Sequence, residues 1–266
     1  MNTPPIDINR PLARGRTADI YEWGDEYVLK LFHDWFSLEN IEYEMKIAQA
    51  VYASGVQSPA VKELTQVYGR RGLVYQRARG DTMRSLFQRA PWKALSLARV
   101  FAQFHAQMHS CVCAANIPPQ HEILKRKILS ATPLRPATKI SLLDRLHSLP
   151  AGDRVCHGDF HPDNILISPV TSTVIDWIDA SNGNPLADVA RTSIILLGAL
   201  AARQISNPVI RIFVGLFHTG YIKEYFRLRP QGRLDYQQWL PIVAAARLSE
   251  NITDLEPWLL AQADHS

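Results

Sequence analysis
The sequence predicts an α+β chain of two lobes, a small strand-rich amino-terminal lobe and a larger, mainly helical carboxy-terminal lobe. Three observations carry this. β-rich runs crowd into the first 77 residues around one helical stretch. Apolar residues recur at helical spacing from residue 92 onward. The 266 residues, at about 150 per domain, allow roughly two units. The division falls at residue 77, giving lobes 1–77 and 78–266.

Taken in order, Ile20–Trp23 and Tyr27–Phe32 are strand-like around the turn Gly24-Asp25-Glu26, and a short loop, Arg14-Gly15-Arg16-Thr17-Ala18, precedes them. Ile41, Met45, Ala48 and Tyr52 then mark one helical face, which Gly55 and Pro59 terminate. Val61–Val67 and Gly72–Gln76 form two more strands. Trp92–Ser110 reads as one helix with Leu97, Phe101, Phe104 and Met108 inward. Residues 116–136 read as a loop with a short helix, and 138–148 as a further helix. A small β island follows at Arg154–His157 and Asn164–Trp177, and helices resume at Pro185.

The composition is globular: 47% hydrophobic and 20% charged residues exclude disorder, collagen and coiled coil. Twenty-nine Lys and Arg against 25 Asp and Glu leave +4, with no basic run of the kind that grips nucleic acid. The most apolar run, Thr192–Ala202 between Arg191 and Arg203, is too short to cross about 30 Å of hydrocarbon and reads as a core helix. Cys111, Cys113 and Cys156 are odd in number, and Cys111-x-Cys113 has neither redox nor zinc spacing. Met1–Pro5 lacks a secretory pattern. A cytoplasmic protein with reduced thiols, and no nucleic-acid or membrane partner, is expected.

The densest polar cluster is His157-Gly158-Asp159-Phe160-His161-Pro162-Asp163-Asn164, a loop between apolar strands, with Asp176 twelve residues beyond. Phosphoryl transfer needs an oriented acceptor hydroxyl, a metal to neutralise phosphate charge, and a cation on the phosphates. Asp159, Asn164 and Asp176 supply two carboxylates and a neutral oxygen, the hard ligands magnesium prefers. Lys30 interrupts an apolar strand and so needs a partner or a ligand. Glu44 falls in the apolar sector of its helix, so the two suggest an inward-facing ion pair.

His157-Gly158-Asp159-(four residues)-Asn164 with Ile175-Asp176-Trp177 resembles the signature of the aminoglycoside phosphotransferase and choline kinase family, relatives of the protein kinases. Gly15–Leu31 is similar to that family's phosphate-covering hairpin and lysine strand. Leu73–Gly80 is similar to its last strand and hinge, Leu97–His109 to its helix rich in Leu, Ala and His, and Asn184–Asp188 to its G-D-P-x-x-D segment. The resemblance implies a protein-kinase-like fold and Mg2+-dependent transfer of the γ-phosphoryl group of ATP to a hydroxyl of a small molecule, aminoglycoside-, choline- or amino-sugar-like. It implies that Asp159 orients the acceptor and takes its proton, that Asn164 and Asp176 hold magnesium, and that Lys30, positioned by Glu44, contacts the phosphates. The backbone near Gln76 and Ala78 would bind adenine, the loop at Gly15 would cover the phosphates, and the final Asp of the last segment would steady the catalytic loop. Three departures stand out: a single glycine at Gly15, Asp163 in place of a small residue, and Trp177 without a following glycine.

Other readings remain open. His157, Asp159, His161 and Asp163 alternate, so an extended strand would gather them as a metallohydrolase site; Pro162 opposes a regular strand. A nucleotide-binding scaffold without turnover is a second alternative. His105 and His109 read as core residues, although an i,i+4 pair also suits a metal. Gly15 also reads as an ordinary turn. Acceptor specificity is expected from residues 110–150 and the last helices, where Glu250, Asp254 and Glu256 would either attract a cation or form a solvated face.

Overall fold
Antiparallel strands build the amino-terminal half. In a computed structural model describing residues 6–114, 116–202 and 205–264, these are β1 (Ala13–Arg14), β2 (Ala18–Glu22), β3 (Tyr27–Phe32), β4 (Val61–Val67) and β5 (Arg70–Gln76), in the spatial order β1-β2-β3-β5-β4. Met1–Pro5 and Arg203 lie outside the described residues.

The period of two along β3 divides its side chains between the sheet faces. Leu29 and Leu31, fully buried, pack with Tyr21, Trp23, Val67 and Val74. Phe32 points to the opposite face and packs with Ala18, Leu73 and Ile41 of α1 (Leu38–Ala53), so Lys30 shares the face that α1 covers. Helix α1 starts where the Ser37 hydroxyl accepts from the Asn40 N–H at 3.3 Å. It ends at Gly55, whose positive φ of 80° suits glycine. Its buried stripe is Ile41, Glu44, Ile47, Ala48 and Val51. Tyr52, expected inward, is 52% exposed because the stripe runs through residue 51 instead.

Past Gln76 the chain crosses to the helical half. β6 (Asp81–Thr82) pairs with β8 (Ile165–Ile167), which pairs with β9 (Ser172–Val174). β7 (Arg154–Cys156) pairs with β10 (Ser181–Gly183). Around these lie α2 (Met83–Arg89), α3 (Ala94–Met108), α4 (Gln120–Ser130), α5 (Pro136–Ser148), α6 (Pro185–Ala201), α7 (Pro208–Leu228), α8 (Tyr236–Arg247) and α9 (Glu256–Ala263). α3 and α7 pack closely because small residues face each other: a side chain at Gly220 would meet Ala98 at 3.1 Å. Ala94, Ala98 and Ala102 are buried there beside Phe101 and Met108, which were expected inward, while Leu97 and Phe104, also expected inward, are half-buried. A second core joins α4, α5, α6 and α8 through Ile128, Leu142, Ala190, Ile194, Trp239 and Ile242.

Four further differences from the expectation have local causes. Residues 91–93 form a 3-10 turn ahead of α3 rather than its first turn, because Pro91 starts it. α4 is a full three-turn helix held by apolar Leu124 and Ile128 despite its polar composition. β6 and β10 carry only two or three polar residues and show no alternation to read. The β island is shorter than expected, since β9 ends at Val174 and Asp176 lies beyond it. No helix among the described residues is long and apolar enough to cross a membrane.

Candidate active site
Lys30 and Glu44 meet because the strand period and the helix period both turn them toward the space between sheet and helix. Lys30 Nζ lies 2.7 Å from Glu44 Oε1 and 3.3 Å from Asp176 Oδ1. Glu44, 4% exposed, also accepts from the Tyr75 hydroxyl at 3.0 Å. Burial opposes the charge on Lys30, but the carboxylates of Asp176 and Glu44 outweigh it and hold its pKa above the ordinary value. Burial raises the Glu44 pKa, and Lys30 counteracts it. The lysine thus stays an ammonium ion at the junction of the lobes.

Asp176 adopts a left-handed backbone, φ 63°, which a non-glycine residue holds only when its surroundings require it. Residue 175, next to it, is clamped from two sides. Its N–H donates to the Asn164 carbonyl at 2.9 Å, and its carbonyl accepts from His157 Nε2 at 3.1 Å. His157 is fully buried, and its other ring nitrogen accepts from the Asp159 N–H at 3.2 Å. Both nitrogens are thus engaged in shaping the loop. Gly158 is required by its positive φ of 78° and by the Asp179 carbonyl, which stands where a Cβ would need to be.

Asn164 Nδ2 donates to the Asp159 carbonyl at 2.9 Å, which leaves Oδ1 without a donor among the described residues. Asp176 is half-exposed, and its second oxygen has no protein partner among them either. A neutral oxygen and a free carboxylate oxygen are a donor set that fits magnesium, which takes one or two protein oxygens and fills the rest from phosphates and water. Asp159 lies beside His161 Nε2 at 3.3 Å and Arg191 Nη2 at 3.9 Å. Burial would raise its pKa, but His161, Arg191 and His157 together hold it well below the ordinary carboxylate value.

The whole loop rests on Asp188, at the first turn of α6 and 1% exposed. Its Oδ2 accepts from the His157 N–H at 2.7 Å, His105 Nε2 at 3.1 Å and His109 Nε2 at 3.2 Å, and its Oδ1 accepts from the Gly158 N–H at 2.9 Å. The hydroxyls of Tyr221 and Tyr225 donate to the two Nδ1 atoms, both at 2.7 Å. Burial disfavours the Asp188 charge, yet these donors drive its pKa far below normal. Burial lowers the His105 pKa to about 3, and that of His109 in the same direction. Neutral histidines around one ionised carboxylate form a saturated set, so His105 and His109 act as donors to Asp188 rather than as metal ligands. The sequence offered half of this arrangement: the i,i+4 histidines and the aspartate were legible, whereas Tyr221 and Tyr225, on α7, carried no signal linking them to it.

Of the expected site residues, Lys30, Glu44 and Asp176 are in direct contact, and Asp159 and Asn164 share one loop tied to residue 175. Gln76 and Ala78 lie where the first sheet ends. The Gln76 N–H already donates to Ala60 O at 2.8 Å, whereas the Ala78 N–H has no partner among the described residues. Gly15 lies in the β1–β2 turn, where its N–H donates to Ala18 O at 3.0 Å and a Cβ would crowd that carbonyl at 2.8 Å. The alternating set is not assembled as a strand: Pro162–Asn164 is a 3-10 turn, His157 points inward, and Asp163 pairs with Arg84 at 3.0 Å. Glu250 is not open to a cation, because Arg191 lies 2.7 Å, Arg247 3.5 Å and Lys127 3.7 Å from it. Sequence reasoning missed Arg191, Arg247 and Lys127, which converge from three helices.

Known structures share this architecture. An aminoglycoside-3'-phosphotransferase of type VIII is 16% identical, with a TM-score of 0.55 over 90% of this chain and 93% of its own. An amicoumacin kinase, in complex with AMP-PNP, Ca2+ and Ami, is 17% identical, with a TM-score of 0.58 over 96% and 86%. A choline kinase from Cryptosporidium parvum Iowa II is 10% identical, with a TM-score of 0.53 over 98% and 87%. At these identities the likeness establishes the fold, which is the two-lobed kinase-like one. No curated protein sequence matches the chain. The sequence model of the phosphotransferase enzyme family matches residues 9–230, a span that holds Lys30, Glu44, Asp159, Asn164, Asp176 and Asp188. The chain therefore belongs to the phosphotransferase enzyme family.

Proposed function
We propose that this chain transfers the γ-phosphoryl group of ATP to a hydroxyl of a small molecule, with residues 1–77 holding the nucleotide and residues 78–266 supplying the catalytic loop and acceptor site. The observation that carries the reading is the Lys30–Glu44–Asp176 contact across the two lobes, beside the loop that displays Asp159 and Asn164. Lys30, kept cationic, contacts the phosphates. The Ala78 N–H and the backbone at Gln76 meet the adenine, and the turn at Gly15 covers the phosphates. Asn164 Oδ1 and Asp176 hold Mg2+, which when bound neutralises phosphate charge. Neighbouring proteins of this fold act on, or are bound to, aminoglycosides, choline, AMP-PNP and Ca2+, which favours a nucleotide and a divalent cation. Reduced thiols and ATP use suit the cytoplasm.

Asp159 accepts a hydrogen bond from the acceptor hydroxyl and aims its oxygen at Pγ. The acceptor O–Pγ bond forms as the bond from Pγ to the β,γ-bridging oxygen breaks, and the hydroxyl proton passes to Asp159. Because that carboxylate is a weak base, orientation is its larger contribution, and the proton moves late. Acceptor-dependent release of ADP tests the reading. Asp159→Asn should lower turnover by about 10²–10⁴-fold while nucleotide still binds. Turnover at the parent level would remove Asp159 from this role.

A further inference from the structure
Behind the catalytic loop opens a cavity lined on its polar side by Gln120, Lys127, Gly158, Asp179, Asp188 and Arg191 and, among the described residues, by none before Gln120. Lys127 of α4 and Arg191 of α6 line it, and together with Arg247 of α8 they converge on one carboxylate, Glu250. The two arginines are only 12% and 11% exposed. Arg191 is anchored through Nε, which donates to Gly158 O at 2.9 Å, and its Nη2 lies 3.9 Å from Asp159.

The match with Glu250 is incomplete. Arg247 Nε is buried with no acceptor, and its Nη1 reaches Glu250 only at 3.5 Å. Glu250 Oε1, although 2.7 Å from Arg191, makes no aligned hydrogen bond. Burial, and then the charge of Arg191, push the Arg247 pKa down to about 10. Four carboxylates, Asp159, Asp179, Asp188 and Glu250, surround the three cations, so net field does not recruit an anion. The unfilled Arg247 Nε does: a planar guanidinium left short of an acceptor is the group that receives an oxyanion.

We infer that the acceptor carries an oxyanion, a carboxylate or a phosphate, which Arg247 and Arg191 bind with Lys127, and that Glu250 occupies their donors when the acceptor is absent. This rests on the phosphotransferase reading, and it names the substrate class: a small hydroxylated anion rather than a polycation. Arg191 then serves both sites, holding the anion at one end and the catalytic loop, through Gly158 O, at the other.

Four three-carbon probes of matched size test this on the full chain: glycerate, glycerol 3-phosphate, glycerol and 2-amino-1,3-propanediol, titrated by ligand-observed NMR at pH 7.5 in the presence of ADP and Mg2+. At least one anionic probe should bind about tenfold or more tighter than both the neutral and the cationic one; glycerate ahead identifies a carboxylate, and glycerol 3-phosphate ahead a phosphate. Arg247→Gln should weaken that probe by about 10–100-fold, the range for hydrogen bonds to charged groups. Should that variant not fold, Lys127→Gln, at a more exposed position, is to show the loss. Glu250→Gln should act oppositely and tighten the anion several-fold, because it removes an internal competitor. Equal or tighter binding of glycerol or the amine, no binding of either anion, or weakening in Glu250→Gln would overturn the inference. Nucleotide binding is read in the same samples. Its absence in the parent would sink the phosphotransferase reading alone, since the ratios between probes still decide the anion question.

Discussion
A backbone of φ 63° at Asp176 holds a carboxylate outward from a position most residues avoid. The residues clamping its neighbour Ile175, Asn164 and His157, belong to the loop that carries Asp159. Replacing Asp176 with Ala should therefore abolish the tightening of nucleotide binding by Mg2+, with little change in metal-free affinity. Isothermal titration with and without the metal checks this, and an unchanged metal effect would exclude Asp176 as its ligand. At this scale the sequence was informative where periodicity is strict. Lys30 and Glu44 were expected to meet, and they do at 2.7 Å, because periods of two and of 3.6 each fix a direction. It was silent on Arg247, since an arginine on a mostly apolar helix reads as solvent-seeking until the packing of α4 and α6 shows what it faces.

Among the elements, α3, α6 and α7 share one buried charge. The fold keeps Asp188 ionised, and His105 and His109 neutral, to lower pH than the unfolded chain does. The sign follows from linkage. Both histidines have folded pKa values below the unfolded one near 6.5, so the unfolded chain binds more protons and stability falls as pH drops below about 6.5. His218, lowered by burial to about 4, adds in the same direction. Asp188 contributes stability that is present above the unfolded carboxylate pKa and lost only in stronger acid. Urea unfolding between pH 8 and 5 should show a loss approaching about 1.4 kcal/mol per pH unit for each such histidine. A flat profile would mean that these histidines carry protons inside the fold. Long, regular elements were legible before this scale was reached. β6 and β10 were not, because two- and three-residue strands exist only through their partners. Nor was the rotation of α3, which buries Ala94, Ala98 and Ala102 and leaves Leu97 and Phe104 half-buried.

For the molecule as a whole, the polar contacts that join the lobes among the described residues include Arg79 Nη2, which donates to Asp25 O at 2.8 Å. Lys30 reaches Asp176 at 3.3 Å, the Val174 N–H donates to Gln57 O at 3.0 Å, and the Ala114 N–H donates to Ser54 Oγ at 2.9 Å. A nucleotide seated between them adds contacts available only to the folded chain. At one hundred times its Kd it should stabilise by about 2.7 kcal/mol, and a chain of this size gains about 2–4 °C in Tm per kcal/mol. Thermal unfolding with MgATP should show the rise, and Lys30→Met should lack it. An equal rise in that variant would place the phosphates elsewhere.

The sequence by itself determined the family, the order of a strand-rich and a helical half, and the placing of Asp159, Asn164 and Asp176 within one short stretch and of Lys30 opposite Glu44. Those properties reside in local periodicity and in a short contiguous motif. Only the tertiary structure decided that Glu250 is bound to arginines rather than free for a cation, that Asp188 gathers two histidines and the loop backbone, and that Lys127 and Arg191, from separate helices, line one cavity. These depend on contacts between residues far apart in the chain, whose directions are set by packing and not by any pattern along it.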